Sequence, residues 1–289
     1  MPDSIKQNIQ WFPGHMAKTR RRIKESLRLV DAVVEIIDAR IPYSSQNPEI
    51  DALITGKPRI LLLNKSDVAD EKVTAKWKKY FEDKGMSVLC VDCRSGKGLS
   101  DFTSVVRRVL ADKITSNAEK GMKGRPLRLM VVGIPNTGKS SFINRMSKRS
   151  RAKVADKPGV TRSNQWFTIG DGIELLDTPG ILWPKFEDRK VGMNLAFTGA
   201  VKDEIMDIET LAFNLLERLK DVYPDLVEKR YGISGFKDSD TLSVMDEIGR
   251  KRGMLLRGGE INYERLSVML LDEFRDGSIG KISLESPER

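Results

Sequence analysis

The segment Gly133-Ile-Pro-Asn-Thr-Gly138-Lys139-Ser140 fits the pattern G-x-x-x-x-G-K-S. It follows the apolar run Leu127 to Val132 and precedes a helix-like stretch, Ser141 to Met146. Strand, glycine-bearing loop and helix in immediate succession commit this part of the chain to an α/β sheet. The glycines let backbone N–H groups close around phosphate oxygens, and the helix N-terminus adds a positive field. In such a loop Lys139 neutralises β- and γ-phosphates and Ser140 offers its hydroxyl to Mg²⁺. Asn136, Thr137, Gly138 and Ser141 complete the phosphate cradle.

The surrounding pattern agrees. Apolar runs at Ala32 to Asp38, Arg59 to Leu63, Ser87 to Val91 and Leu127 to Val132 read as buried parallel strands. Between them, Asn47 to Thr55, Glu71 to Lys84 and Leu99 to Asp112 carry charges at helical spacing, which predicts a doubly wound, mostly parallel sheet with helices on both faces. Asp177-Thr-Pro-Gly180 follows the apolar Ile173 to Leu176, so its carboxylate emerges at a strand end. There Asp177 could hold Mg²⁺ through water and the Gly180 N–H could meet a γ-phosphate. Thr161, in the basic loop Pro158-Gly-Val-Thr161, is the candidate for a second hydroxyl ligand to that ion; a surface loop without that role is the alternative.

Asn64-Lys65-Ser66-Asp67 follows the strand Arg59 to Leu63. Guanine offers an O6/N7 acceptor edge to an amide and an N1/N2 donor edge to a carboxylate, while a lysine stem can cover the ring. Adenine lacks that donor edge. Two short motifs, each at a strand end, thus predict one site for a guanosine nucleotide.

With these motifs the chain resembles the ribosome biogenesis GTPase A (YlqF-type) family of circularly permuted GTPases. The resemblance rests also on Trp11-Phe-Pro-Gly-His15-Met, Asp38-Ala-Arg-Ile-Pro42, Asp177-Thr-Pro-Gly-Ile-Leu-Trp-Pro184 and Gly259-Glu-Ile-Asn-Tyr263, and it covers nearly the whole chain. In that family the base-recognition motif precedes the phosphate loop, as it does here. The resemblance implies that Cys93, Arg94 and Ser95 form the remaining guanine-side loop, although such loops usually read Ser-Ala where this chain has Cys93-Arg94. Arg162 stands where a second threonine would be expected beside Thr161. The expected partners are GTP and GDP, and a large ribosomal subunit precursor with its RNA.

Many switch GTPases orient the attacking water with a glutamine directly after the Asp-x-x-Gly glycine, whereas this chain has Ile181. Slow intrinsic turnover, stimulated by the ribosomal particle, is therefore expected. His15, the sole histidine, is linked to catalysis by the resemblance; a structural or partner contact is the other reading. Asn136 is similar to the asparagine that binds a monovalent cation in potassium-dependent relatives, which adds K⁺ to Mg²⁺ as an expected cofactor; a loop-stabilising amide is the alternative.

Composition sets the remaining bounds. The net charge is +9, yet residues 200–289 are net acidic, so the basic excess sits on residues 1–199, where it suits a polyanion such as RNA. Any RNA contact by the tail must then use local patches such as Arg250-Lys-Arg252 with Arg257. Cys90 and Cys93 read as a reduced, partly buried pair rather than half of a zinc site. No membrane-spanning run and no leader are expected, and a cytoplasmic setting is expected with them; a monomer is expected as well. The expected divisions are a basic extension and first helix over 1–30, the permuted GTPase domain over 31–199 and a helical RNA-binding-like domain over 200–289. Residues Lys113 to Pro126 read as an exposed linker joining the ancestral termini. A second function class, a non-enzymatic RNA-binding protein with guanine nucleotide as a structural ligand, is kept because of Ile181.

Overall fold

The computed structural model describes residues 21–54, 56–149, 154–155, 165–170, 172–180, 188–201, 203 and 206–288. His15, Thr161, Arg162 and Ile181 lie outside these residues, as do the segments Trp11 to Met16 and Ile181 to Pro184.

Seven strands form one sheet in the order β3-β2-β1-β4-β7-β6-β5. These are β1 (Ala32–Asp38), β2 (Arg59–Asn64), β3 (Ser87–Cys90), β4 (Leu127–Val132), β5 (Val154–Ala155), β6 (Trp166–Ile169) and β7 (Ile173–Asp177). The first five in spatial order are mutually parallel, and β6 and β5 add antiparallel at one edge. Parallel pairing explains the uninterrupted apolar runs, since each strand is covered on both faces. Residues of β1 alternate accordingly. Val34 and Ile36 face Phe102, Val106 and Phe142, whereas Val33 and Ile37 face residues of the opposite helical layer, such as Ile50 and Trp77.

The first layer holds α4 (Phe102–Val109), α5 (Ala111–Glu119) and α6 (Lys139–Arg149). The second holds the helical residues 21–27 (α1), α2 (Pro48–Ile54) and α3 (Glu71–Asp83). α3 starts where Asp70 accepts from the Lys72 and Val73 amides at 2.8 and 3.1 Å, and it buries Trp77 and Phe81. Such a side-chain cap contributes about 1 kcal/mol.

The expected linker is a correction. Residues 111–119 form α5, and only 120–126 connect it to β4. The charge around this helix concealed it. Its anchors are the half-buried Ile114 against the sheet core and the buried Asn117, and left-handed Gly121 follows its end.

After β7, five helices pack together: α7 (Arg189–Phe197), α8 (Ile208–Val222), α9 (Pro224–Tyr231), α10 (Thr241–Lys251) and α11 (Tyr263–Asp276). Asp207, Asp240 and Asn262 cap α8, α10 and α11, and left-handed Gly232 and Gly277 end α9 and α11. Their core, including Leu211, Leu215, Ile248, Leu270 and Phe274, takes in Leu195 and Phe197 of α7. It also takes in Ile41 and Ile134, which follow β1 and β4. The helical layer therefore packs against the edge where the parallel strands end. None of the described helices is long and apolar enough to cross a membrane.

Candidate nucleotide-binding site

Because β1, β2, β3, β4 and β7 run parallel, their carboxyl ends share one edge of the sheet. Asp38, Asn64 to Asp67, Cys93 to Ser95, Gly133 to Ser141 and Asp177 to Gly180 all lie at or just beyond those ends. Strands proceed from β1 toward β3 in one direction and from β4 in the other, and ligands of open α/β sheets occupy the crevice at such a reversal.

The loop after β4 is shaped by close approach. Gly133 has φ 153°, and a Cβ there would stand 2.4 Å from the Ile36 carbonyl oxygen. Gly138 has φ 102°, and its added Cβ would stand 2.2 Å from Asn64 Nδ2. Buried Thr137 donates its hydroxyl to Ile134 O at 2.9 Å, and Lys139 Nζ donates to the same carbonyl at 2.8 Å. Ser140 and Ser141 are exposed at the first turn of α6. Asn136 takes a left-handed φ of 60° and donates its amide to Gly199 O, just past α7.

Asn64 joins three loops. Its Nδ2 donates to Thr137 O at 2.6 Å, and its Oδ1 accepts from the Cys93 amide at 2.9 Å. The segment Asn64 to Asp67, the loop Gly133 to Ser140 and the Cys93 loop thus meet at one buried amide, which keeps a second Nδ2 hydrogen. Asp67 is half-buried, with the Arg94 guanidinium 3.9 Å from its carboxylate. Arg145 of α6 donates to Arg94 O, and Asp92 accepts from the Arg94 and Ser95 amides at 2.8 and 3.1 Å. The Cys93-Arg94 departure therefore preserves a closed turn. Cys90 and Cys93 are free thiols; burial raises both pKa values, with Cys93 pushed up to about 12.

At the phosphate end, burial lowers the Lys139 pKa to about 8, opposed by the negative charge of Asp177. Burial raises the Asp177 pKa, opposed by Lys139 and by the Thr178 amide. Gly180 lies directly against Lys139 and Pro135, since a Cβ on it would be 2.8 Å from Lys139 Nζ and 3.0 Å from Pro135 N. An exposed Ser140 hydroxyl and a half-buried Asp177 carboxylate are hard oxygen donors of the kind Mg²⁺ takes, so the residues present fit that ion.

Sequence reasoning gave no role to Asp38 and Arg40, although both lie in a motif that carries the resemblance. Asp38 is 2% exposed, and its carboxylate pairs with Arg40 at 2.8 Å and with Lys65 at 2.9 Å. A buried-looking Asp-x-Arg at a strand end was the available signal.

The family model described as 50S ribosome-binding GTPase matches residues 128–229. Ribosome biogenesis GTPase A of Bacillus licheniformis is 47% identical over 280 residues, covering 97% of this chain and 99% of that one. Two solved structures are also similar. The GDP-bound TM YlqF has a TM-score of 0.66 at 30% identity, covering 93% of this chain and all of its own. GNP-bound YlqF from T. maritima has a TM-score of 0.63 at 30% identity, covering 94% of this chain and 99% of its own. With loops at one sheet edge, base motif ahead of phosphate loop, and a full-length relative at this identity, the chain belongs to the ribosome biogenesis GTPase A family, circularly permuted P-loop GTPases that act in ribosome biogenesis.

Proposed function

We propose that this protein binds a large ribosomal subunit precursor in its GTP form, promotes a late maturation step, and leaves after hydrolysis to GDP. The observation that carries the reading is the Asn64 bridge, which draws the base-recognition segment and the phosphate loop to a single crevice. Asp67 pairs the guanine N1/N2 edge, the free Asn64 hydrogen faces O6/N7, the Lys65 stem lies over the ring, and amides of the Cys93-Arg94-Ser95 turn close the base side.

On the phosphate side, Lys139 and the amides of Asn136 to Ser141 hold the β- and γ-phosphates, and the Gly180 N–H meets the γ-phosphate. Ser140, Asp177 and Thr161 are the residues to hold Mg²⁺, which when bound supplies charge neutralisation between the phosphates. Ile181 cannot orient water, so intrinsic turnover is slow; the particle stimulates it, with His15 as the water-positioning group. Asn136 would be the residue to hold K⁺, which when bound would supply positive charge beside the phosphates, and equal hydrolysis rates in KCl and NaCl would remove that role.

The protein works as a monomer with three parts: residues 1–30, the GTPase domain over 31–199 and the helical domain over 200–289. The segment after Gly180 leads into the helices, so γ-phosphate contact repositions them. Equal hydrogen-exchange protection of 200–289 in the GTP-analogue and GDP states would count against this coupling. The primary test is sedimentation with large-subunit precursors, with retention expected under a non-hydrolysable GTP analogue and release under GDP. Equal retention in both would overturn the switch. Single-turnover hydrolysis with and without particles separates this function from that of a non-hydrolysing RNA binder.

A further inference from the structure

Lys65 carries two unusual features. Its backbone is left-handed at φ 60°, a conformation that side-chain-bearing residues keep only when their surroundings enforce it, and its ammonium is tied to a buried carboxylate. That carboxylate belongs to Asp38, the last residue of β1 and the register partner of Asn64, so strand pairing sets it one residue away from Lys65. Burial works against charge on Asp38, yet Arg40 and Lys65 together outweigh it and hold the carboxyl far below the usual carboxylate range.

Arg40 is 1% exposed and grips Asp38 with two nitrogens, Nε to Oδ1 at 3.0 Å and Nη2 to Oδ2 at 2.8 Å. Its third nitrogen, Nη1, donates to the Phe274 and Arg275 carbonyls at 3.2 Å each, at the end of α11. A guanidinium at a helix C-terminus satisfies carbonyls that the helix leaves open and complements the negative end of its dipole. The C-terminal segment reinforces the clamp, with Leu284 N donating to Arg40 O at 2.8 Å and Ile282 N to Val68 O at 3.0 Å. The last helix is thus connected to the base-recognition lysine through two charged side chains.

A lysine stem covers a base only if its ammonium is anchored beyond the ring, because a free lysine samples many rotamers that leave the ring uncovered. We propose that Asp38 is a positioning residue for Lys65, and that Arg40 makes this positioning depend on the seating of α11. The proposal rests on the guanine-nucleotide reading above.

The test is a double-mutant cycle read as the Kd for fluorescent GDP in the full-length chain. Asp38→Asn should weaken binding by about tenfold, the effect of removing one member of a partly buried charge pair. In a Lys65→Met background the same change should alter Kd by less than about twofold, since the ammonium it anchors is already gone. Equal weakening in both backgrounds, or none in the unaltered chain, would overturn the proposal alone. Failure of the unaltered chain to bind fluorescent GDP would overturn the guanine reading and this proposal with it. Should Asp38→Asn not fold, Arg40→Lys keeps the charge and loses the fork. It should weaken binding about threefold with Lys65 present and leave the Lys65→Met protein unchanged; equal weakening would again overturn the coupling.

Discussion

If Asn64 acts as the keystone of three loops, replacing it should damage the protein before any nucleotide is added. Asn64→Ala strands the Thr137 carbonyl and the Cys93 amide, whose residues are 1% and 2% exposed. A buried backbone group left without its partner costs roughly 1–3 kcal/mol, so two such groups, with some relaxation, give a loss of about 2–4 kcal/mol. For a chain of this size that is a fall of about 4–8 °C in the melting midpoint. Asn64→Asp sharpens the test. It preserves an acceptor for the Cys93 amide but sets a charged oxygen against Thr137 O, where the native nitrogen lies at 2.6 Å. The aspartate variant should therefore be no more stable than the alanine variant despite its matching shape. Scanning calorimetry without nucleotide measures both midpoints, and titration with GDP should then show affinity down by at least about tenfold. An alanine variant that melts like the parent would refute the keystone argument, because a residue serving only the base would leave the nucleotide-free midpoint alone.

Three further outcomes are expected. Gly138→Ala should abolish measurable GDP binding in equilibrium dialysis, since its Cβ would overlap Asn64 Nδ2 at 2.2 Å and its φ of 102° disfavours any side chain. Gly180→Ala meets the flexible end of Lys139 at 2.8 Å as well as Pro135 N at 3.0 Å, so it should spare GDP affinity within about threefold while cutting single-turnover hydrolysis at least tenfold, roughly the loss of one γ-phosphate contact. Lys139 titrates at about 8 in the nucleotide-free fold against 10.5 when unfolded. Its burial therefore costs stability below about pH 8, and that cost is relieved as pH rises from 8 toward 10.5, where the unfolded chain holds more protons. Phosphates restore the charge, so GDP binding at pH 8.5 should take up protons, visible as a buffer-dependent calorimetric heat; proton release would contradict the assignment.

Much of the sheet and of the placement of the candidate site was legible from local signals. The phosphate loop, Asn64 to Asp67 and Asp177 to Gly180 each follow an apolar run, and strand polarity carries all three to the same edge. The order of these parts along the chain also announced the permutation. Helix α5 was hidden because its charged surface resembles a connector, while its hold on the fold comes from only two inward residues, Ile114 and Asn117. The antiparallel edge strands β5 and β6 are too short, at two and four residues, to declare themselves by alternation.

Residue types and spacing determined which groups are candidates for phosphate and guanine, because the backbone conformation of a glycine loop or a strand end is a local property. They could not determine that Asn64 would join three loops, that Asn136 would meet Gly199, or that Arg40 would clamp the end of α11. Those contacts depend on where separately encoded elements come to rest, and Arg40 and Phe274 are 234 residues apart. Only the packing of the helical core against Ile41 and Ile134 brings them within hydrogen-bonding distance.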